Sequence, residues 1–361
     1  MADPLPHLDV RARLPQRLDR GIGIVGAGAI VGAGHLPAYR QAGFNVIAIA
    51  DIDHRAAQRA ASEWEIPRAY ASADALLEDH EVEIVDIAVT PSAQPPIAAA
   101  AIASGRDVLC QKPLAPDMAT ARTLVRSAET AGVCLAVNQQ MRWEPAIRAT
   151  KLLLEAGHFG EPAGALYDVD IGTPWENWPW LAALPQLEYR YHSIHYLDSA
   201  RYLFGDPVAV VASIARFPGQ TSVGETRTFT ILEYSDTLAV AVLVNHNNWS
   251  RTTRALIRCE GTEGRSEGRL GLFEDYPVGG PHSLSFVSRA DGEAWSRTFE
   301  ARWFPDAFAG PMAELLCAIE EEREPLTSGR DNLRTLALVE AAYLAAADGG
   351  RVQLEPPGVL P

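Results

Sequence analysis

The sequence predicts an α/β protein of two domains, the first built on a parallel sheet covered by helices and the second on a mostly antiparallel open sheet. Its 361 residues exceed what one hydrophobic core usually supports. Short apolar runs alternate with helical patterns from Gly21 to Val137, which is typical of a parallel sheet with crossover helices. After Asn138, several segments alternate apolar and polar residues with a period of two, as half-buried strands do. We therefore expect an extension over 1–20, a first domain over 21–140 and a second over 141–361.

In the first domain the predicted strands are apolar throughout, as burial on both faces requires. They are Ile22–Val25, Val46–Ala50, Ile84–Val89, Asp107–Cys110 and Cys134–Val137. The helices predicted between them are Asp53–Trp64, Ser72–Leu77, Pro95–Ala103 and Met118–Ala131. Ser72 and Asp117 are predicted N-caps, and Gly132 is a predicted helix stop.

The second domain is predicted to begin with a helix over Pro145–Ala156. The strands predicted after it are Ala165–Ile171, Val208–Ile214, Thr226–Tyr234, Leu238–Val244, Thr253–Glu260 and Ser283–Val287. Helical spacing returns over Met312–Glu321 and Asn332–Ala346. We find no internal repeat and no low-complexity tract.

The composition argues against several classes of protein. Lys and Arg number 31 and Asp and Glu number 46, for a net charge of -15, so we expect no nucleic-acid partner. No window offers the ~18 apolar residues of a membrane span, so we expect no membrane partner. The cysteines Cys110, Cys134, Cys259 and Cys317 are scattered without C-x-x-C spacing, which predicts reduced thiols and a cytoplasmic location.

A glycine-rich motif follows the first predicted strand. The frame Gly26, Gly28 and position 31 places the turn directly after apolar residues 22–25 and before a helix. The overlapping frame from Gly21 fits G-x-G-x-x-G literally, but it would end a buried strand in the charged segment 17–20. Val31 replaces the third glycine, which usually permits close helix packing. The first two glycines let the backbone approach a pyrophosphate at a helix N-terminus, which predicts a dinucleotide site.

Asp51 supports this frame because it ends the second predicted strand twenty positions after Val31. Acids at about this offset (~20 residues) bind the ribose hydroxyls of a dinucleotide. A carboxylate there repels a 2′-phosphate, so we predict NAD rather than NADP, although Arg55 could pair with such a phosphate. The alternative is a glycine-rich turn in an unrelated α/β domain, with Asp51 as a helix cap.

Lys112 directly follows a predicted parallel strand, in Cys-Gln-Lys-Pro. The carboxyl ends of such strands line the crevice where ligands bind. A lysine there can orient a substrate hydroxyl or move its proton, and a nearby cationic nicotinamide would lower its pKa. The alternative is a surface lysine in a turn before proline.

Two further clusters are candidate substrate contacts. His192, His195 and Asp198 are spaced three apart, on one helix face, which fits helix packing as well as chemistry. Helical H-x-x-H without further placed ligands does not predict a metal site. The loop with Trp175, Trp178 and Trp180 either covers a substrate or contacts a neighbouring subunit.

Taken together, these pieces resemble the glucose-fructose oxidoreductase, inositol dehydrogenase and rhizopine-catabolism (Gfo/Idh/MocA) family. The resemblance is close from Ile22 to about Pro207 and loose beyond. It rests on V-G-A-G-A-I-V with H-L-P-A-Y, A-D-I-D, A-V-T-P, V-L-C-Q-K-P-L-A, V-N-Q-Q-M-R-W-E-P, and S-I-H-Y-L-D with F-G-D-P. It is the order and spacing of these motifs that identify the family.

The resemblance implies an N-terminal Rossmann domain and a C-terminal α+β domain that often builds oligomers, hence a homodimer or homotetramer through the C-terminal sheet. It also implies NAD as cofactor and a sugar, cyclitol or sugar-acid-like polyol as substrate. The cofactor contacts we expect are Gly26, Gly28, Ala29, Ile30, Asp51, Ile52, Arg55, Thr90, Pro91, Gln94, Gln111, Lys112 and Asn138. The substrate contacts we expect are Lys112, Arg142, Trp143, Trp175, Trp180, Tyr191, His192 and His195.

The sequence departs from the family pattern at three positions. Gln111 stands where glutamate is usual, Gln94 where a loop histidine is common, and Tyr191 where the aspartate of D-x-x-x-H would lie. Either Tyr191 or His192 substitutes for that aspartate, or the reaction differs.

We therefore expect a dehydrogenase in which hydride passes between substrate carbon and nicotinamide. In this scheme His195 takes the hydroxyl proton, Lys112 polarises the same oxygen and Tyr191 donates a hydrogen bond, so these three are the predicted catalytic residues. Two alternatives stay open: a redox-neutral enzyme that keeps NAD bound, and a non-enzymatic NAD-binding sensor.

Overall fold

The structure is a computed structural model that describes residues 8–250, 252–271, 279–290 and 292–355. The chain divides into two compact units. One unit comprises Ala12–Gln140 and Phe304–Leu333, and we call it the dinucleotide unit. The other, the sheet unit, comprises Met141–Trp303 with the described parts of the two chain ends. The sequence prediction placed all of 141–361 in one domain, whereas the contacts group 304–333 with the dinucleotide unit.

The strands of the described chain are β1 (Ile22–Val25), β2 (Val46–Ala50), β3 (Arg68–Tyr70), β4 (Ile84–Ile87), β5 (Asp107–Cys110), β6 (Leu135–Val137), β7 (Pro162–Asp170), β8 (Ala209–Ala215), β9 (Arg227–Glu233), β10 (Ala239–Asn245), β11 (Arg254–Gly261), β12 (Gly264–Arg269), β13 (His282–Ser288), β14 (Ala294–Phe299) and β15 (Arg351–Gln353). The helices are α1 (Leu36–Ala42), α2 (His54–Trp64), α3 (Ala73–Leu77), α4 (Gln94–Ala103), α5 (Met118–Ala131), α6 (Pro145–Glu155), α7 (Pro179–Ala182), α8 (Ile194–Phe204), α9 (Ala309–Glu320) and α10 (Gly329–Asp348). Single π-helical turns, Val31–His35 and Tyr189–Ser193, lead into α1 and α8. None of the helices in the described ranges combines the length and apolar character that a bilayer crossing requires.

The dinucleotide unit is built on a parallel sheet with strand order β3-β2-β1-β4-β5-β6. This is the doubly wound order of a Rossmann fold and confirms the predicted class. Its central strands β1 and β4 are buried at every residue, as their apolar sequences predicted. The prediction missed β3, because three half-buried residues leave no apolar run to recognise.

The returning segment belongs to the dinucleotide unit through specific contacts. Helix α9 packs against β5 and β6. Beyond it, the backbone N–H of Val137 donates to the carbonyl of Thr327 at 2.8 Å, and Ser328 forms a bridge with Ala136. These contacts add a bridge at the edge of the parallel sheet, next to β6.

The sheet unit is built on a sheet with the order β14-β13-β12-β11-β7-β10-β9-β8-β15. Its pairs are antiparallel except for β7 and β10, which are parallel. This confirms the predicted α+β domain with a mostly antiparallel sheet. The prediction missed β12 and β15, because their sequences are dominated by polar residues and glycine, and β14, because most of its residues are exposed.

One face of the second sheet is covered and the other is open. Helices α6 and α8 pack on the covered face, where side chains such as Tyr167, Val242 and Ile257 are 0% exposed. On the open face, Phe229 and Ile231 of β9 are 49% and 48% exposed. The period of two seen in the sequence therefore separates a core face from an exposed apolar face.

Candidate active site

The glycine loop after β1 has a geometry that only glycine allows. Gly26 has φ +112°, and a Cβ there would lie 2.3 Å from the carbonyl oxygen of Ala88. Gly28 is exposed, and a Cβ there would meet no described atom within 4 Å. Ala29 and Ile30 follow it and open the helical segment, Ala29 exposed and Ile30 half-buried. The loop therefore offers backbone N–H groups to an anion at a helix N-terminus, which fits a dinucleotide pyrophosphate.

Asp51 lies half-buried at the end of β2 and forms a hydrogen bond with this loop. Its Oδ2 accepts a hydrogen bond from Ala27 N at 2.7 Å, and its Oδ1 accepts one from Asp53 N at 2.8 Å. A carboxylate has about four lone-pair positions, so acceptor capacity for ribose hydroxyls remains. Ile52 and Arg55 are both exposed beside it. The bond to Ala27 is a contact that sequence reasoning did not predict.

The loops after the other strands of this sheet carry the remaining predicted cofactor contacts. Thr90 and Pro91 follow β4, with Thr90 exposed, while Lys112 follows β5 and is half-buried. Asn138 follows β6 and is 0% exposed. Since all strands of the sheet are parallel, their carboxyl ends share one edge with the glycine loop and Asp51. The groups along that shared edge are those that a dinucleotide such as NAD binds.

Gln94, one of the predicted cofactor contacts, is buried among protein groups. It is 1% exposed at the start of α4. Its Nε2 lies 2.7, 3.0 and 3.0 Å from the carbonyl oxygens of Gln111, Pro113 and Leu114. Gln94 thus supports the loop that carries Lys112, through its backbone.

Gln111 also makes protein contacts rather than facing an open crevice, since it is 8% exposed. Its Oε1 accepts a hydrogen bond from Lys112 N at 2.9 Å, and its Nε2 lies 3.0 Å from His35 Nε2. His35 Nδ1 in turn lies 2.6 Å from Asp86 Oδ2, to which Tyr39 donates at 2.8 Å. Sequence reasoning missed this network; its signal was a carboxylate in the apolar run of β4.

Lys112 has the titration behaviour of a group that works near neutral pH. Burial lowers the pKa of its amine to about 8, because removal from water penalises the ammonium form. An amine of this kind exchanges a proton readily and both donates and accepts hydrogen bonds. At the end of β5, it can hold a reacting oxygen.

In the sheet unit, His195 lies on α8 and is 5% exposed. Its ring meets the indole of Trp303 edge to face, with centroids 5.7 Å apart and planes at 87°. The backbone N–H of Trp303 donates to His282 Nε2 at 3.2 Å, and His282 Nδ1 bonds the buried carboxylate of Glu144. A buried chain of contacts therefore holds the backbone of Trp303, whose indole packs against His195.

The predicted aromatic contacts form two pairs with residues of the π-helical turn. Trp175 is 3% exposed and packs edge-on against His192, with centroids 5.2 Å apart. Trp180 is 45% exposed and packs against Tyr191 at 6.1 Å. Burial raises the pKa of Tyr191, so its phenol stays a hydrogen-bond donor. Trp178 is half-buried and packs against the same small core as Trp175.

Behind His192 lies a pair that sequence reasoning did not assign. The rings of His192 and His246 are 4.5 Å apart. His246 is 1% exposed, with Nδ1 2.7 Å from Thr173 Oγ1 and Nε2 3.4 Å from Oε1 of Glu188. Glu188 is 0% exposed and also accepts from the hydroxyl of Ser193 at 2.7 Å. Glu188 and His246 are 58 positions apart in the sequence, so no local pattern connects them.

Arg142 and Trp143, two of the predicted substrate contacts, are both buried among protein groups. Arg142 is 3% exposed and forms a two-pronged ion pair with Asp198, with both N–O distances 2.7 Å. Thr335 Oγ1 donates to the same carboxylate at 2.7 Å. Trp143 is 9% exposed and belongs to the core. Among the residues that the structure describes, no group of three or more His, Cys, Asp or Glu could hold a metal ion.

Comparison with known proteins agrees with this arrangement. Residues 20–139 match the model of an oxidoreductase family with an NAD-binding Rossmann fold, and residues 151–354 match the C-terminal α/β domain of the same family. D-apiose dehydrogenase of Paraburkholderia graminis is 32% identical, covering 91% of this chain and 89% of its own. Inositol 2-dehydrogenase 2 of Saccharopolyspora erythraea is 27% identical, covering 92% and 95%.

A solved oxidoreductase from Agrobacterium radiobacter, in complex with NAD+, L-tartaric acid and magnesium, superposes with a TM-score of 0.80 at 26% identity. The match covers 93% of this chain and 98% of that one. Both domains of the family are therefore present in order, and the glycine loop, Asp51 and the lysine loop lie at the carboxyl edge of the parallel sheet. The chain belongs to the Gfo/Idh/MocA family of NAD-dependent oxidoreductases, which act on hydroxyl groups of sugars and cyclitols.

Proposed function

We propose that the chain is a sugar dehydrogenase whose substrate is D-apiose or an aldose of similar shape. D-apiose dehydrogenases of Paraburkholderia graminis and Rhizobium rhizogenes are 32% and 30% identical, each over 91% of this chain. Relatives named for anhydrofructose or inositol are 25% and 27% identical over a similar span. The observation that carries the proposal is Lys112, an amine with a pKa of about 8 at the edge that also holds the glycine loop and Asp51.

The oxidation splits into a hydride and a proton, and side chains handle the proton. Bound NAD supplies the acceptor for the hydride that leaves the substrate carbon. His195 takes the proton from the hydroxyl as its oxygen becomes a carbonyl. Lys112 holds the same oxygen and stabilises the negative charge that develops on it, and Tyr191 donates a hydrogen bond. The reverse reaction returns the proton from His195.

Replacement of Lys112 tests this scheme cleanly, because the sequence contains only one other lysine, Lys151. Lys112→Ala is expected to cut turnover of D-apiose about 100- to 10,000-fold, the contribution of a proton-handling group. NADH affinity, followed by fluorescence titration, should change little. Lys151 lies on α6 and pairs with Glu155 at 3.6 Å, so Lys151→Ala is the matched control and should keep wild-type turnover. Wild-type turnover in Lys112→Ala would remove that amine from the mechanism.

The substrate class has its own test. NADH formation is followed by its absorbance at 340 nm, the wavelength at which reduced nicotinamide absorbs. D-apiose, other aldoses and myo-inositol are compared at equal concentration. We expect D-apiose to give a kcat/KM at least about tenfold above the others, a difference of about 1.4 kcal/mol in transition-state binding. Conversion of sugar without NADH accumulation would instead establish the redox-neutral alternative. NADH binding without conversion of any sugar would establish the sensor.

We also propose that the chain forms a homodimer or homotetramer through the open face of the second sheet. Register places Ile231 beside Val211 on one side and Ala241 on the other, so apolar side chains form a continuous row. Phe229 is 49% exposed in the next row. Ile231→Arg should convert the oligomer to monomers in light scattering, whereas Leu326→Arg, outside the sheet unit, should not. A monomeric wild-type protein would contradict the proposal.

We propose a cytoplasmic location for the enzyme. The four cysteines are free thiols, and three of them are buried. Free thiols are typical of a reducing compartment, which is also where NAD is available. Fractionation of cells that express the native gene, with activity assayed in each fraction, tests this; activity in an extracellular or envelope fraction would contradict it.

A further inference from the structure

The orientation of the Gln111 amide is fixed by its neighbours. A backbone N–H can only donate, so the atom that lies 2.9 Å from Lys112 N must be the amide oxygen. The amide nitrogen then lies at the other end, 3.0 Å from His35 Nε2. It therefore donates a hydrogen bond to that ring nitrogen.

This orientation also fixes the protonation of His35. Because its Nε2 accepts, its proton is on Nδ1, which donates to Asp86 Oδ2 at 2.6 Å. Tyr39 donates to the same oxygen at 2.8 Å, and burial beside that carboxylate raises the pKa of its phenol. His35, Tyr39 and Asp86 are each 0% exposed. The imidazole lies between this carboxylate and two amides, because Asn138 Nδ2 also lies 3.3 Å from His35 Nε2.

The loop around Lys112 is attached to uncharged groups at both ends. Gln111 holds the backbone N–H of Lys112 itself. Gln94 holds the carbonyls of Pro113 and Leu114 at 3.0 Å each, from the start of α4. Both glutamines are buried, so the position of the loop depends on these bonds rather than on solvent.

We propose that Gln111 is a positioning residue for Lys112, which anchors the lysine backbone to the imidazole of His35. The proposal rests on the catalytic role proposed for Lys112. It depends on the chemistry of the amide group. An amide accepts from the lysine N–H and donates to His35 Nε2 at the same time, and it places no charge near the amine.

A glutamate at position 111 would behave differently. Its carboxylate could still accept from Lys112 N, but it could not donate to His35 Nε2. Two acceptors would face each other across that contact, so the bond to His35 that completes the anchor would be lost.

The test compares wild type, Gln111→Glu and Gln111→Met over pH 6 to 9.5, with kcat and the KM for NAD measured separately. Gln111→Met has a similar volume but no hydrogen bonds, so kcat should fall about 10- to 100-fold at every pH, as expected for a reacting group displaced by about 1 Å. The KM for NAD should stay within about twofold, because the glutamine is buried. In Gln111→Glu, kcat should also fall, because the carboxylate cannot donate to His35 Nε2.

A second readout does not depend on turnover. Reductive methylation with 13C-formaldehyde labels only the two lysines and the N-terminal amine, so NMR can follow the titration of Lys112 directly. Wild type should titrate near the value of about 8, whereas Gln111→Glu should titrate higher because the added carboxylate favours the ammonium form. Lys151 should not move and is the internal control.

The outcomes separate the anchor from the catalytic role of Lys112. Wild-type kcat in Gln111→Met or in Gln111→Glu overturns the anchor. If Gln111→Met does not fold, kcat and the NMR titration of Gln111→Glu decide alone. Wild-type turnover in Lys112→Ala would instead overturn the proposed function, and the titration shift at Lys112 would still report whether position 111 controls the amine.

Discussion

Removal of Arg142 separates a structural role from the substrate contact that the sequence predicted. Its guanidinium holds Asp198 through two N–O contacts of 2.7 Å, and the side chains are 4% and 0% exposed. Arg142→Met keeps an unbranched apolar side chain but leaves the carboxylate of Asp198 buried without that partner. We expect a large loss of stability and little change in the KM for sugar.

The expected loss of stability depends on the hydrogen bonds and charge contacts that Asp198 keeps in the variant. Breaking a buried ion pair on one side costs about 3 to 5 kcal/mol. Thr335 Oγ1 still donates to the carboxylate at 2.7 Å, and Arg201 Nη1 lies 3.7 Å away. These contacts place the loss near the lower end, at about 3 kcal/mol. For a unit of this size, that corresponds to a fall in Tm of about 6 to 12 °C.

The assay is thermal unfolding followed by circular dichroism, with kcat and KM measured well below the lower Tm. Asp198→Asn added to Arg142→Met removes the uncompensated charge and should recover part of the lost Tm. That recovery assigns the loss to the buried carboxylate rather than to packing against Tyr202. An unchanged Tm together with a KM for sugar raised tenfold or more would refute this reasoning and restore Arg142 to the substrate site.

Three further predictions concern the cofactor edge and His195. Gly26→Ala should abolish folding or NADH binding, because its Cβ would lie 2.3 Å from a backbone carbonyl. Gly28→Ala should fold with wild-type Tm and bind NADH more weakly, since its Cβ points into open space. Equal NADH affinity in Gly28→Ala and wild type would mean that the dinucleotide does not approach Gly28. Asp51→Ser should lower the ratio of kcat/KM for NAD over NADP by about tenfold or more, the effect of one charge-assisted hydrogen bond of ~1.5 to 3 kcal/mol; an unchanged ratio would place selectivity elsewhere. Trp303→Leu should lower kcat more than it raises the KM for sugar, because the indole holds the His195 ring, and Trp303→Phe should recover most of kcat; equal losses in both variants would contradict a positioning role.

The sequence predicted most of the first fold unit because its signals are local. Apolar runs such as Ile22–Val25 are buried on both faces of the sheet, and an apolar run of this length predicts such a strand. The glycine loop could be predicted because its tight turn leaves no room for a side chain at Gly26. By contrast, β12 is a polar strand and β14 is mostly exposed, and both pair with β13 through backbone hydrogen bonds. The placement of 304–333 with the first unit depends on contacts between distant segments, which no local pattern reveals.

The candidate site divides in the same way. Lys112 and His195 could be named from motifs, because their positions at a strand end and on a helix are local facts. The contacts of Gln94 and Gln111 could not be predicted, because a buried glutamine and an exposed one look alike in sequence. The pair His246 and Glu188 was missed for the same reason, since the two are adjacent only through the tertiary fold.

The three departures from the family pattern share a physical feature, which is that each puts an uncharged group where a charged or ionisable one is usual. Gln111 and Gln94 hold the Lys112 loop with amides, and Tyr191 stays a neutral donor because burial raises the pKa of its phenol. Within the dinucleotide unit, the buried carboxylate of Asp86 lies behind His35. A carboxylate in contact with the Lys112 amine would raise its pKa and favour a fixed ammonium. Asp86 instead bonds the imidazole of His35, and the amine keeps a pKa of about 8, at which it can exchange its proton.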